Sequence, residues 1–246
     1  MYRLSHLIFN SQGKIPNLTP LQHNRYTMEN NCSTQPTKLQ VTFQIAGTLL
    51  GCCALFIQLY LAIIIGPKLG LTYAGGFIRF FSFMTIWTNI LVTLHFITAL
   101  AAPNSRFGLF LSKPIIQTGT LVYILVVAIV YHFLLADLWH PVGMQAVADI
   151  SLHYIVPFFY LLYYVVFAPK GLQQYKNSFK WLLYPLAYII FSLIYGAISH
   201  LYPYPFIDLQ KLGLSMLVRN ILLLSVAYYL FGLLIIFVDK KMAKWV

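Results

Sequence analysis

Six long apolar segments limit what this chain can fold into. Each reaches the roughly 20 residues that an α-helix needs to cross a hydrocarbon layer about 30 Å thick. None alternates apolar and polar residues as a barrel strand would. The sequence therefore predicts an all-α integral membrane protein, a bundle of six transmembrane helices. The predicted helices are Val41–Gly66, Phe77–Ala101, Ile116–Leu135, Ile150–Ala168, Trp181–Leu201 and Ser215–Val238.

The composition supports this class. Hydrophobic residues make up 60% of the chain and charged residues 9%, with a mean hydropathy of +0.76, which a water-soluble domain of this length could not accommodate. We expect a polar, disordered cytosolic segment over residues 1–40, the transmembrane domain over 41–238 and a basic cytosolic tail over 239–246. Translation from Met1 and from Met28 both fit the sequence.

The basic residues predict the orientation of the bundle. Twelve of the 16 Lys and Arg residues fall in segments that are cytosolic if both termini face the cytosol, and the connection from Asp137 to Asp149 has none. The positive-inside rule therefore predicts an N-in, C-in topology. On this interpretation the net charge of +11 reflects cytosolic loops, which disfavours nucleic acid as a partner.

Motifs for metals and cofactors are missing from the sequence. The three cysteines, Cys32, Cys52 and Cys53, have neither disulfide-framework nor metal-ligand spacing. A His-Glu-x-x-His motif, a glycine-rich phosphate loop and a Gly-x-Ser-x-Gly turn are also missing. We therefore expect no metal and no cofactor.

A polar stripe follows the second apolar segment. On one continuous helix its members would fall within an arc of about 120°. Hydroxyls in membrane helices commonly bond to backbone carbonyls of their own helix. An arginine and an asparagine on the same face instead favour a functional site. The stripe comprises Arg79, Ser82, Thr85, Asn89 and Thr93.

The fourth segment carries a carboxylate and an imidazole on one face. Asp149 and His153 are four residues apart, which brings them together on a helix and can fix the histidine tautomer. Pro157 has no N–H, so in an α-helix the carbonyl of His153 would lose its partner and become a free acceptor. The alternative is an interfacial histidine near a helix start.

Other ionisable residues lie near the same predicted outer end, and we expect them to bind substrate. In the inner half His95 is the main exception, so no ladder of ionisable groups crosses the bilayer, and a site at one leaflet is favoured over a transport path. We also expect the loop aromatic residues Trp139, Tyr202, Tyr204 and Phe206 to form an interfacial belt or lid. The expected substrate-binding residues here are His132, His200, Asp208 and Arg219.

Four stretches resemble a known family. They read RFFSFMTIWTNILV, DLWHPVGMQAVADISLHYIVPFFYLLYYVVFAPKG, WLLYPLAYIIFSLIYG and YPYPFIDLQKLG. They look like the bacterial Pr-six-Pr membrane proteins, which are in turn similar to the eukaryotic androgen-induced family of multipass hydrolases. The resemblance runs from the first apolar segment to the last. It implies a multipass protein of the bacterial cytoplasmic membrane with its site toward the outer side.

The resemblance also implies a chemistry. The eukaryotic family is understood as intramembrane threonine hydrolases that cleave fatty acid esters of hydroxy fatty acids, with a threonine nucleophile and a histidine on a later helix. His153 matches the histidine, while Thr85 and Ser82 both remain open for the nucleophile. We expect Asp149 to orient His153.

The substrate contacts follow as hypotheses from this assignment. Arg79 or Arg219 would hold a fatty acid carboxylate, and Asn89 would polarise the ester carbonyl. Two alternatives stay open: a non-enzymatic lipid-binding or assembly protein, and, less favoured, a small-molecule transporter. The sequence leaves the substrate and the oligomeric state open.

Overall fold

The computed structural model describes residues 35–244, and this part of the chain contains helices and loops but no strand. Six helices in it are long and apolar enough to cross a membrane, which confirms the all-α, multipass class. The N-terminal prediction, with Met28 and Cys32, lies almost wholly outside the described residues. The six helices are the first span Lys38–Leu69, the second Met84–Ala101, the third Pro114–Leu138, the fourth Met144–Phe167, the fifth Asn177–Ser199 and the sixth Leu209–Met242.

The second span lies at the centre of the bundle. Of its most apolar window 56% is buried, against 17% for the first and sixth spans. Its core side chains Val92 and Phe96 pack against Ile124 of the third span and Tyr160 of the fourth. The most buried helix is thus also the one that carries Thr85, Asn89 and Thr93 of the predicted polar stripe.

The second span begins later than the sequence predicts. A separate helix covers Tyr73–Phe80, and the chain turns before the next helix starts at Met84. Ser82 stabilises this turn, because its N–H and its hydroxyl both donate to the Arg79 carbonyl. The predicted continuous stripe is therefore wrong: Arg79 and Ser82 precede the helix that carries Thr85.

Two spans contain a wide π turn. The third span is an α-helix over Pro114–Val130, a π turn over Tyr131–Leu135 and a 3₁₀ turn over Ala136–Leu138. The fourth is an α-helix over Met144–Ile150, a π turn over Ser151–Ile155 and an α-helix over Val156–Phe167. Such turns are rare and frequently mark functional sites.

The remaining helices are short or kinked. The fifth span combines Asn177–Lys180 with Leu183–Ser199. The sixth span contains a kink at Gly213, whose φ of 71° favours glycine. It continues to Met242 and buries Asp239, the first residue of the predicted basic cytosolic tail. Short helices also cover 66–69, 106–111 and 205–207.

The connections bring defined helix ends together. The start of the second span, the start of the fourth and the loop before the sixth meet at one end, through contacts of Thr85 with His153 and Tyr204. We call this the site end. At the opposite end, Tyr164 near the close of the fourth span contacts Thr118 near the start of the third and Asp239 near the close of the sixth.

Candidate functional site

A hydroxyl and an imidazole from two different spans meet at the site end. Thr85 Oγ1 lies 3.1 Å from His153 Nε2, although the two residues are 68 positions apart in the chain. Thr85 is 5% exposed and the His153 side chain 13%. The second and fourth spans therefore hold the pair at hydrogen-bonding distance in a largely buried setting.

The contacts of His153 fix which ring nitrogen carries the proton. Its Nδ1 lies 2.9 Å from the backbone carbonyl oxygen of Asp149 and 3.3 Å from Asp149 Oδ1. A carbonyl oxygen only accepts, so Nδ1 must donate. In neutral imidazole Nε2 then carries the lone pair, and the Thr85 hydroxyl donates to it. This is the arrangement of an alcohol beside its general base.

Tyr131 completes the surroundings of the imidazole, and the sequence analysis did not identify it. Its ring stacks on that of His153 with centroids 3.7 Å apart and planes 13° apart, and its hydroxyl donates to Asp149 Oδ2. Tyr131 thus contacts both the imidazole and the carboxylate beside it. In the sequence, only its position points to it: Tyr131 directly precedes His132, which was predicted to bind substrate.

Tyr204 reaches the hydroxyl of Thr85 from the loop before the sixth span. Its hydroxyl oxygen lies 3.4 Å from Thr85 Oγ1 and accepts from the Thr85 backbone N–H at 3.5 Å. Burial raises the pKa of the Tyr204 hydroxyl, and its hydrogen bonds to Thr85 offset part of that rise. The phenol therefore keeps its proton at neutral pH. The sequence placed this residue in an interfacial belt or lid.

Ser82 belongs to the helix break and lies away from the imidazole. Its hydroxyl donates to the Arg79 carbonyl at 2.7 Å, and its own carbonyl accepts from Tyr188 at 2.8 Å. Of the two hydroxyls that the sequence left open, the structure brings Thr85 to His153.

Asn89 connects two spans. Its side-chain N–H groups donate to the Thr85 carbonyl at 2.8 Å and the Leu152 carbonyl at 3.1 Å. Both of its donors are thus engaged with backbone carbonyls, and the predicted polarisation of an ester carbonyl stays a prediction. The Leu152 carbonyl, which Asn89 reaches, lies in the π turn that precedes Pro157.

The other predicted binding residues lie apart from this group. Arg79 sits over the Phe83 ring at 5.6 Å, and one of its terminal nitrogens has no partner among residues 35–244. Asp208 is the N-cap of the sixth span and pairs with Lys211 at 3.3 Å. The rest are exposed: His132 beside Tyr154, His200 beside Gln210, and Arg219.

An apolar cavity borders Thr85. Apolar side chains of the third, fifth and sixth spans form most of its wall, and aromatic residues of the loop before the sixth span close it near Thr85. Within residues 35–244, no group of three or more His, Cys, Asp or Glu side chains could hold a metal ion. The wall includes Thr85, Val127, Tyr131, Ile189, Tyr204 and Tyr228.

Comparison with known proteins adds no further assignment. No protein family, no curated protein and no solved structure matches the chain.

Proposed function

We propose that this protein is an intramembrane hydrolase of lipid esters, with Thr85 as the nucleophile and His153 as the general base. One observation carries the proposal: the chain of contacts from Asp149 through His153 ends on the Thr85 hydroxyl, and Thr85 lines an apolar cavity. An activated alcohol beside an apolar cavity is the combination that cleavage of a fatty acyl ester requires.

The reaction follows the double-displacement scheme of a hydroxyl nucleophile. Thr85 Oγ1 attacks the acyl carbonyl carbon while its proton passes to His153 Nε2. The tetrahedral intermediate collapses, and the same proton goes to the departing alcohol, which leaves an acyl ester on Thr85. Water then attacks this ester, gives its proton to His153 and releases the fatty acid as the proton returns to Thr85.

Two residues support His153 in both half-reactions. The Asp149 carboxylate favours the imidazolium that forms when His153 takes the proton, and Tyr131 contacts both groups. General-base assistance of this kind contributes about 10²–10⁴-fold to the rate.

The cavity suits the acyl part of the substrate. On the third span its lining runs from Val127 to Leu135, which lie about two helical turns, or about 12 Å, apart. Its walls offer few polar groups, which excludes a charged ligand portion and accepts an alkyl chain. Fatty acid esters of hydroxy fatty acids, the substrates implied by the family resemblance, are the first esters to test.

The distribution of basic residues supports the orientation. With both termini in the cytosol, the site end faces the outer leaflet, and the loops at the opposite end carry Lys170, Lys176 and Lys180. We propose a bacterial cytoplasmic membrane as the location, with membrane lipid or fatty acyl esters as the partner.

Purified protein in detergent, assayed on a panel of lipid esters, tests the proposal. We expect hydrolysis by the wild type and a loss of about 10³-fold or more in Thr85→Ala and His153→Ala. Ser82→Ala is the matched hydroxyl control and His132→Ala the matched imidazole control, and both should keep activity. A fluorophosphonate probe should label the peptide that contains Thr85. Undiminished hydrolysis in His153→Ala would sink the proposal.

A lipid-binding protein without catalysis is the second candidate, because the same cavity would hold an acyl chain without any reaction. It predicts a lipid that remains bound through purification, no hydrolysis of any ester and no labelling of Thr85. One preparation of purified protein therefore distinguishes the two candidate functions.

A further inference from the structure

We propose that the Tyr204 hydroxyl and the Thr85 backbone N–H form the oxyanion hole of this site. The inference rests on the proposed hydrolase function and assigns the groups that stabilise its tetrahedral intermediate. Acyl transfer develops a negative charge on the former carbonyl oxygen, and prepositioned N–H or O–H donors are the usual means of stabilising it.

The position of Thr85 in its helix leaves its N–H free of helical bonding. Thr85 is the second residue of the second span, and the first helical N–H groups have no carbonyl one turn earlier. Its N–H donates to Tyr204 at 3.5 Å, a long contact that a better acceptor would displace. In serine proteases the nucleophile's own N–H is one of the two oxyanion donors.

The Tyr204 proton is directed at the reacting atoms. Its oxygen accepts from the Thr85 N–H and Thr85 Oγ1 donates to His153, so the Tyr204 O–H can donate to Thr85 Oγ1 at 3.4 Å. When Oγ1 bonds to the carbonyl carbon, the new oxyanion is attached to that carbon, next to this donor. A rotation about the phenol C–O bond then turns the Tyr204 proton from Oγ1 to the oxyanion.

The charge balance needs no additional group. The Thr85 proton moves to His153, the negative charge rests on the former carbonyl oxygen, and Tyr204 shares its proton without giving it up. Since burial raises the pKa of the phenol, it remains a donor across neutral pH.

Neighbouring rings hold Tyr204 in place. It stacks on Phe206 with centroids 5.1 Å apart and planes 8° apart, and Phe83 packs against it edge-on at 5.8 Å. Pro203 and Pro205 flank it and restrict the backbone. A donor fixed before the reaction loses little entropy when charge develops, which is the condition for an effective oxyanion hole.

Two other polar side chains of the predicted stripe are already engaged as donors. The side chain of Asn89 donates to two backbone carbonyls, and the Ser82 hydroxyl donates to a third. Arg79 contacts the Phe83 ring and is not part of the cavity wall. Tyr204 does line the cavity, and its hydroxyl touches the nucleophile.

Steady-state hydrolysis by Tyr204→Phe tests the assignment, because this change removes only the hydroxyl and keeps the ring. We expect kcat to fall about 10²-fold with KM changed less than about twofold, since one donor is lost and the Thr85 N–H remains. Tyr202→Phe, two residues away in the same loop and outside the cavity wall, is the matched control and should match the wild type. Thermal unfolding and gel filtration of both variants check that they fold.

Inhibition by an acyl trifluoromethyl ketone gives a second measurement, and it should not change if Tyr204 only forms part of the cavity wall. This compound forms an oxyanion with a nucleophilic hydroxyl, so its inhibition constant should rise about 10²-fold in Tyr204→Phe. The corresponding amide forms no oxyanion and should bind equally to both proteins. An unchanged kcat, or a rise in KM alone, overturns the Tyr204 assignment while leaving Thr85 and His153 in place. A wild type that hydrolyses no ester overturns both proposals.

Discussion

Two buried carboxylates occupy opposite ends of the bundle, and their surroundings differ in one respect. At the site end, Asp149 belongs to a site cluster with Thr85, Tyr131, His153 and Tyr204. At the opposite end, Asp239 accepts from the Tyr164 hydroxyl at 2.8 Å and from the Gly171 N–H at 2.7 Å. Thr118 and Lys170 complete this Asp239 cluster through contacts with Tyr164.

The Asp239 cluster is closed. Its donors end on protein acceptors, including the Ala168 carbonyl that Lys170 reaches at 2.6 Å, and it joins the third, fourth and sixth spans. The site cluster ends on Thr85, which lines a cavity. The two carboxylates are thus alike in burial and hydrogen bonding, and they differ in whether their chain of contacts reaches a residue of a cavity wall.

Replacing Asp149 tests the site cluster. Asp149→Asn should lower kcat/KM about 10–100-fold, because the negative charge beside the imidazolium is lost. In a Ser-His-Asp triad the same change lowers kcat about 10⁴-fold, because there the aspartate fixes the histidine tautomer. The loss here should be smaller, since the backbone carbonyl of residue 149 still accepts from His153 Nδ1. Ester hydrolysis by this variant and by the exposed-residue control Asp137→Asn measures the effect. A 10⁴-fold loss would mean that the carboxylate sets the tautomer.

Replacing Asp239 tests the Asp239 cluster. Asp239→Ala leaves the Tyr164 hydroxyl and the Gly171 N–H without their acceptor, and we expect the free energy of unfolding to fall by about 1–3 kcal/mol. Hydrolysis below the unfolding temperature should stay within about twofold of the wild type. Thermal unfolding in detergent, with Asp137→Ala as the control, measures the loss. Reduced hydrolysis at full stability would show that the two clusters are coupled.

A bulkier side chain in the cavity wall at the site end tests whether the acyl chain occupies this cavity. Val127→Phe adds bulk to the buried wall, so the ratio of long-chain to short-chain ester hydrolysis should fall about tenfold, equivalent to about 1.4 kcal/mol. The lipid-facing control Val165→Phe should leave this ratio unchanged. If both variants handle all chain lengths like the wild type, the acyl chain does not occupy this cavity.

The smallest expected effect concerns pH and the Asp239 cluster. Burial lowers the pKa of Lys170, and nearby Asp239 offsets part of that shift. The unfolded chain then binds this proton more tightly than the folded one, so the contribution of Lys170 to stability rises as the pH approaches the unfolded pKa of about 10.4. The free energy of unfolding, measured at pH 8 and pH 10, should show this rise in the wild type but not in Lys170→Met. Lys176→Met, at an exposed position, is the control and should behave like the wild type.

The sequence predicted the parts of the molecule that depend on local spacing. Six apolar segments located the spans within a few residues at most ends, and the four-residue spacing of Asp149 and His153 placed their side chains on one face. Thr85 was one of two hydroxyl candidates. These features follow from helix geometry and hydrophobicity, which are encoded within single segments.

The contacts that the sequence did not predict depend on distant segments. Tyr204 meets Thr85 across 119 positions, and Tyr131 meets Asp149 across 18. The break before Met84 was also missed, because Phe80, Phe81 and Phe83 read as a continuing apolar helix although the Ser82 turn ends it. Counting polar residues at one end therefore favoured exposed residues such as His132 over the tyrosine beside it.

The π turn at Ser151–Ile155 holds one residue more than an α-helical path would. Asp149 precedes it and Tyr164, with its bond to Asp239, follows it. The turn thus absorbs one extra residue while both halves of the fourth span keep their contacts. Deleting a single residue there would restore an α-helical path, and the imidazole, which lies inside the turn, would lose its present position beside the threonine.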